Sequence, residues 1–278
     1  MALIFDGRVV ETPGYDSVDF RDPKYHLRKG YRPRETSWIR GICLHTRMGK
    51  VSNRVRETGV DRRWDEVLAE RWGRGDRMAG AHIAIDADGS YGCLVDIVKY
   101  AAFHASQLND TSVGIEIYQG ADGTLYKPAL ETAVYLVDVL TRELGIQRQF
   151  PLETKIARRL ARGGRRPWRK SHRLSWMDEG EGGENFCGVY GHRNGTRNRG
   201  LGDPGNQIFA MLAAAGYEVF PIDADADREA WRKRQRELGL RADGIPGPKT
   251  RRALELAGYQ HGLWIPRPSD AESAHVGC

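Results

Sequence analysis

GVYGHRNGTRNRGLGDPG occupies positions 188–205 and contains two candidate metal ligands, His192 and Asp203. A short apolar run ends at His192, a loop rich in Gly, Asn and Arg follows, and Asp203 precedes Pro204. This order predicts a strand, a long loop and then a helix that Asp203 caps, with Pro204 at its first position. Zinc binds both imidazole and carboxylate, and a catalytic zinc site needs a third protein ligand and an open position for water.

A third candidate ligand ends an apolar run near the start of the chain. Residues 38–46 read WIRGICLHT, which predicts a strand ending at His45 and Thr46. Taken singly, His45 is better interpreted as a histidine that hydrogen-bonds the backbone at a strand end. Cys43 shares a face with His45 if the strand is regular. A buried, inert thiol is the favoured interpretation of Cys43, and a zinc ligand is the alternative.

An acidic residue interrupts a second apolar strand. Residues 111–118 read TSVGIEIY, with Glu116 between two isoleucines. A carboxylate in such a strand needs a partner if it is buried. Strand alternation alone permits an exposed Glu116 or one that faces a metal site. Beside a zinc ion, Glu116 could act as a general base for water and later as a general acid.

These segments together resemble one enzyme family. The GHR and DPG segments are similar to the last motif of the zinc-dependent N-acetylmuramoyl-L-alanine amidases, which include phage lysozyme-type amidases and peptidoglycan recognition proteins. The earlier family motifs resemble four segments in the right order: LHT at 44–46, AHIAIDADG at 81–89, FHAS at 103–106 and SVGIE at 112–116. The resemblance implies an α/β fold with a mixed central β-sheet flanked by helices, and peptidoglycan as substrate.

The resemblance also implies the site residues. One Zn²⁺ per chain is expected on His45, His192 and Asp203, with Glu116 as catalytic base. The expected substrate contacts are Thr46, His104, Asn109 and Arg197.

The sequence departs from the family at two catalytic positions. Leu201 stands where many members have an oxyanion-stabilising Lys, so we expect Arg199 or Arg197 to supply that positive charge. Ala81 stands where some phage members have a catalytic Tyr, and the neighbouring His82 is expected to be structural.

Pattern and composition divide the chain into an arm at 1–36, a catalytic domain at 37–220, a helical module at 226–265 and a tail at 266–278. The arm is expected to have little regular structure, and the acidic stretch after Pro221 predicts a linker. The module resembles the small helical peptidoglycan-binding domain through its ADGIPGPKT segment at 242–250. Within the catalytic domain the patterns predict helices over 61–72 and 128–146, and a hairpin over 78–96.

Charge restricts the partners without selecting one. The chain has 278 residues and a net charge of +6, and its insertion at 147–185 contains nine Lys or Arg and no acid within 155–173. This segment is either a solvated basic loop or a rim that attracts anionic envelope polymers. We expect no specific nucleic-acid binding because no recognition motif accompanies the charge. No apolar run approaches the length of a membrane span.

The expected function is a phage-type endolysin that cleaves the bond between N-acetylmuramic acid and L-alanine. The start of the chain resembles no secretory signal, so we expect a cytoplasmic protein that reaches the wall after release at lysis. The four cysteines form no C-x-x-C pair and are expected to be free thiols. Two alternatives remain open at this point, a cytoplasmic wall-recycling amidase that acts on soluble muropeptides and a non-catalytic recognition protein.

Overall fold

A computed structural model describes residues 2–12, 26–49, 79–120, 125–153, 186–195, 203–204, 206–222, 224–244, 249–250 and 253. The predicted helix over 61–72, the basic segment 155–173, the tail 266–278, Arg197 and Arg199 lie outside these residues.

The centre of the fold is a five-stranded sheet of mixed direction. Strands β4 (Gly41–Gly49), β5 (Ile83–Ile85), β6 (Tyr91–Cys93), β8 (Ser112–Gly120) and β10 (Gly188–Gly191) form it in the order β10-β4-β8-β5-β6. Strands β10, β4, β8 and β5 run parallel to one another, and β6 is antiparallel to β5 across the predicted hairpin turn. The predicted mixed sheet with flanking helices is therefore confirmed.

Two helices cover one face of this sheet. Helix α1 (Lys127–Leu144) begins with Pro128 in its first turn and ends at Gly145, whose φ of 65° is the left-handed conformation that glycine tolerates. Helix α3 (Asn206–Ala214) packs beside it. Their apolar side chains join those of alternate strand residues in the main core, as period-3.6 and period-2 patterns require: Ile42, Leu44, Ile83, Ile85, Val113, Ile115, Ile117, Leu136, Val137, Leu140, Ile208 and Leu212.

The prediction that Asp203 caps the last helix is wrong. Helix α3 begins at Asn206, and Asp203 and Pro204 form a turn before it. The Asp203 carboxylate instead accepts a hydrogen bond from the backbone of Thr46, 2.8 Å away, so it turns toward the sheet rather than toward the helix. The expected long loop after His192 also begins with a short helix, α2 (His192–Gly195).

The N-terminal segment has more regular structure than predicted. Strands β1 (Ala2–Phe5) and β2 (Arg8–Glu11) form a hairpin, and β3 (Tyr31–Pro33) pairs with β7 (Tyr100–Ala102). The Asp96 carboxylate fixes the hairpin turn because it accepts hydrogen bonds from the backbone N–H groups of Asp6 and Gly7, at 3.0 and 2.7 Å. The turn also has a local signal, because Asp6 and Gly7 take the positive φ values, 50° and 76°, that a two-residue hairpin turn requires.

The predicted linker after Pro221 is helical. Strand β11 (Glu218–Ile222) pairs with β9 (Gln149–Glu153), and helix α4 (Ala224–Glu237) follows almost directly. Buried Gln235 connects this helix to the segment that resembles a peptidoglycan-binding motif. Its side chain donates to Asp243 and Thr250, at 2.9 and 3.2 Å, and accepts the N–H of Gly244 at 2.8 Å.

Among the described residues, no helix is long and apolar enough to cross a membrane. Cys43 and Cys93 are buried reduced thiols, but Cys187 is disulfide-bonded, so the expectation of free thiols is wrong for Cys187.

Candidate active site

His45 and Glu116 lie side by side on the sheet face that α1 and α3 do not cover. The parallel strands β4 and β8 pair them directly in register. Adjacent in-register residues point to the same side of a sheet, and their neighbours Leu44 and Ile115 point into the main core. Glu116 is partly exposed in an otherwise buried strand. The strand pairing therefore selects the interpretation in which Glu116 faces the candidate metal site.

His192 and Asp203 complete a cluster around His45. Strand β10 pairs with β4 and places His192 just beyond its end, so the His45 and His192 ring centroids are 4.3 Å apart. Asp203 Oδ2 lies 3.2 Å from His192 Nδ1. One ligand atom from each of the three residues lies within 4.8 Å of the other two. His192 directly follows the carboxyl end of β10, whereas His45 lies in the middle of β4, which continues to Gly49 instead of ending at Thr46 as predicted.

The donor set and the burial fit a zinc ion. Both His45 and His192 are 3% exposed, and two imidazoles with one carboxylate match the three-ligand pattern of catalytic zinc sites. His192 Nδ1 is buried and makes no hydrogen bond despite its proximity to Asp203. A cation between these two groups would satisfy that nitrogen, which otherwise costs desolvation free energy.

Gly191 allows the Asp203 turn to approach the sheet. A Cβ atom at Gly191 would lie 2.6 Å from Pro204 Cδ, a distance that real structures do not allow. The Gly191 N–H is in turn held by the Asn194 side chain at 2.8 Å. The glycine before His192 therefore has a steric role in placing the carboxylate.

His104 contacts the cluster from the neighbouring loop. Its Nδ1 is 2.9 Å from His45 Nε2, and its ring lies over Gly114, where a Cβ would be only 2.5 Å from the ring. Burial, together with nearby His192 and Arg34, lowers the pKa of His104 to about 3. The imidazole is therefore neutral at physiological pH, and one of the two histidines donates the shared hydrogen bond.

The loop that carries His104 is held by Asn109. Its side-chain oxygen accepts the backbone N–H groups of His104 and Ala105, at 2.9 and 2.6 Å. Asn109 is 8% exposed. Its predicted contact with substrate stays a prediction, and the structure adds a role in positioning His104. Thr46, also predicted to contact substrate, holds Asp203 through its backbone N–H.

The sequence patterns did not identify Arg34, whose guanidinium binds the backbone of the same loop. The guanidinium is buried and donates to the carbonyls of Asn109, Asp110 and Ser112 at 3.3, 3.3 and 2.7 Å, and also to that of Ile97. Burial lowers the pKa of Arg34 to about 10. A buried arginine that binds backbone carbonyls belongs to no sequence motif. The sequence shows only that Arg34 precedes strand β4.

His82 has the structural role that the sequence suggested. Its Nδ1 accepts the N–H of Gly114 at 2.9 Å, so its Nε2 carries the proton and donates to the Tyr100 carbonyl at 2.9 Å. Burial and the charge of Arg34 hold the pKa of His82 well below its usual value. The neutral ring thus ties β8 to β7 beneath His104.

A family comparison agrees with this geometry. The sequence model described as N-acetylmuramoyl-L-alanine amidase matches residues 35–205, more than half of the chain, and the match includes His45, Glu116, His192 and Asp203.

The chain belongs to the N-acetylmuramoyl-L-alanine amidase family. It is therefore a peptidoglycan amidase, which hydrolyses the amide bond between N-acetylmuramic acid and the L-alanine of the stem peptide.

Solved amidase structures are similar at low identity. The catalytic domain of XlyA matches with 21% identity and a TM-score of 0.34, covering 44% of this chain and 74% of that chain. Amidase LysC from Clostridium intestinale URNW matches with 16% identity and a TM-score of 0.32, covering 44% and 75%. The endolysine amidase LysCS from the same organism gives 16% and 0.31, covering 44% and 80%. No curated protein sequence matches the amidase.

Proposed function

We propose that the amidase is zinc-dependent, with one Zn²⁺ per chain on His45, His192 and Asp203. The observation that carries this proposal is the convergence of three buried donor atoms within 4.8 Å, one of them a His192 nitrogen without a hydrogen bond. When bound, the zinc would polarise the amide carbonyl and lower the pKa of water.

Glu116 is the proposed proton-transfer group. Its position beside His45 on the open sheet face allows the carboxylate to accept the proton of the attacking water. The same carboxyl group then protonates the alanine nitrogen as the C–N bond breaks, which restores the starting charge. Arg199 or Arg197 is the proposed cation that stabilises the oxyanion, in place of the family's lysine.

The substrate is proposed to lie over Thr46, His104 and Asn109. His104 is a neutral imidazole whose Nδ1 lies 2.9 Å from His45 Nε2 and whose Nε2 lies 3.4 Å from Ser112 Oγ, so a hydrogen bond to the substrate would replace one of these two partners. The basic segment 155–173 would attract anionic envelope polymers.

The proposed biological role is that of an endolysin. The resemblance of residues 226–265 to a peptidoglycan-binding domain supports this role. Within that segment, Gln235 hydrogen-bonds three residues of the motif at 242–250, namely Asp243, Gly244 and Thr250. A recycling amidase acts on soluble muropeptides and needs no wall-binding module. The two roles are separated by comparing kcat/KM on intact sacculi with kcat/KM on soluble muropeptides.

The decisive experiment is mass analysis of the products released from peptidoglycan sacculi, with and without a zinc chelator. We expect stem peptides beginning in L-alanine, lost on chelation and restored by Zn²⁺. Glu116→Gln should keep one zinc per chain and lose at least about 100-fold in kcat, the lower range for general acid–base catalysis.

Glu143→Gln is the matched control, because Glu143 lies on helix α1 and pairs with Arg8 at the protein surface. It should retain full activity. A fully active Glu116→Gln enzyme would remove Glu116 from the mechanism, and activity that resists complete zinc removal would refute the metal assignment.

A further inference from the structure

A second group of metal-ligand side chains adjoins the proposed zinc site. Cys43 and His45 are two residues apart on β4 and face the same side of the sheet. His104 reaches the same place from above Gly114. One ligand atom from each of Cys43, His45 and His104 lies within 4.8 Å of the other two. The two groups share His45 and no other residue.

The distances within this group suit a metal ion. Two imidazole nitrogens bound to one tetrahedral metal at about 2.05 Å lie about 3.4 Å apart. His45 Nε2 and His104 Nδ1 are 2.9 Å apart, so an outward shift of about 0.5 Å would replace their hydrogen bond by two metal bonds. Partly exposed His104 provides a path of entry from the surface.

The chemistry of this group differs from that of the zinc triad. Thiolate and imidazole favour thiophilic cations, whereas the carboxylate of Asp203 favours harder ones. Cys43 is a fully buried, reduced thiol among Ala105, Leu108, Phe186 and Tyr190. A cation bound there would be shielded from water, and metal binding displaces the thiol proton to solvent.

We propose that Cys43, His45 and His104 form a second metal-binding triad, selective for thiophilic divalent cations such as Cd²⁺. Binding at this triad withdraws His45 from the His45–His192–Asp203 site. The consequence for activity, inhibition by thiophilic cations, rests on the proposed zinc function. The binding site itself does not.

The test is titration of the metal-free, full-length protein with Cd²⁺, followed by equilibrium dialysis and by the ultraviolet absorption of the thiolate-to-cadmium charge-transfer band. The wild-type protein should bind one Cd²⁺ per chain at this site and develop the band. Cys43→Ser should lose the band. Asp203→Asn should keep it, because Asp203 belongs to the other triad only.

Cys93→Ser is the matched thiol control. Cys93 is also reduced and fully buried, and burial raises its pKa to about 12, but it lies in the main core. The band should be unchanged in this variant. His104→Gln provides a second perturbation if Cys43→Ser does not fold, and it should weaken Cd²⁺ binding at least about tenfold.

A band that persists in Cys43→Ser, or Cd²⁺ binding to wild-type protein without a band, would overturn the proposal. Unchanged Cd²⁺ affinity in His104→Gln would do the same. These results are distinguishable from failure of the proposed function, because that failure is absence of stem-peptide release by the zinc-loaded wild-type enzyme.

Discussion

The close contact between Gly114 and His104 makes Gly114→Ala an informative perturbation. Gly114 lies on the central strand β8, two residues before Glu116. An added Cβ would lie 2.5 Å from His104 Cγ, 2.6 Å from Cδ2 and 2.8 Å from Nδ1. The strand is paired on both sides, so the imidazole ring has to move rather than the backbone.

The size of the effect follows from these distances. Carbon atoms in van der Waals contact lie about 3.5 Å apart, so the ring must retreat by about 1 Å. Overpacking of this kind costs about 1–3 kcal/mol of stability. A displacement of about 1 Å at a positioned group costs up to about 100-fold in rate. We therefore expect kcat/KM for stem-peptide release to fall about 10- to 100-fold while zinc content is retained.

The assay combines kcat/KM on sacculi, bound zinc per chain and the free energy of unfolding in denaturant. Gly89→Ala is the control for lost stability. Gly89 has a φ of +91°, and its Cβ would lie 2.8 Å from Thr132 Oγ1, which is on helix α1. This variant should be destabilised to a similar extent and should keep kcat/KM at the temperature where it is folded.

A Gly114→Ala enzyme that lost stability like Gly89→Ala and yet kept its kcat/KM would refute the link between the position of His104 and the rate. The place of His104 would then not matter for catalysis, and the proposed substrate contact would be withdrawn.

Two further predictions concern stability. Arg34→Lys should lower the free energy of unfolding by about 3 kcal/mol, because an ammonium group cannot reach the carbonyls of Asn109, Ser112 and Ile97 together. In contrast, Arg32→Lys, two residues earlier in the chain and at an exposed ion pair with Asp110, should cost less than about 1 kcal/mol in the same denaturant assay. The pKa of His82 in the folded protein is well below its value in the unfolded chain. The folded state therefore binds the neutral ring in preference, and this contribution to stability is complete above about pH 6.5 and is lost as the pH falls below that value. Unfolding of metal-free protein between pH 7 and pH 4 should therefore show a steeper fall in stability for wild type than for His82→Gln, by up to about 1.4 kcal/mol per pH unit, and equal slopes would exclude His82 as the titrating group.

Local patterns predicted the elements whose residues are close in sequence. The helix expected over 128–146 is present as Lys127–Leu144, because its apolar period and its Pro128 and Gly145 end signals are local. The hairpin expected over 78–96 is present around the turn at 86–89 for the same reason. The N-terminal hairpin also has a local signal, the Asp6-Gly7 pair in its two-residue turn, although this segment was expected to be irregular.

The proposal that His45, His192 and Asp203 form one site depended on family resemblance, although each residue is a candidate donor by type. His45 and Asp203 are common residue types in their local contexts, and the local pattern around Asp203 predicts a helix cap. The structure shows why that local assignment failed, since Thr46 binds the carboxylate across 157 residues. Capping by Asp is a local preference, and a long-range hydrogen bond replaced it here.

The sequence by itself determined the family, the central strands, helix α1 and the candidate donors, because these depend on residue type, period and order along the chain. Only the tertiary structure decided which side of β8 Glu116 faces, because strand alternation has two solutions until the neighbouring strand is known. The tertiary structure also places Arg34, Gly114 and Asn109 where they position His104 and its loop, and it places Cys43 close to two histidines. Such contacts depend on the pairing and packing of strands distant in sequence, and no local period encodes those.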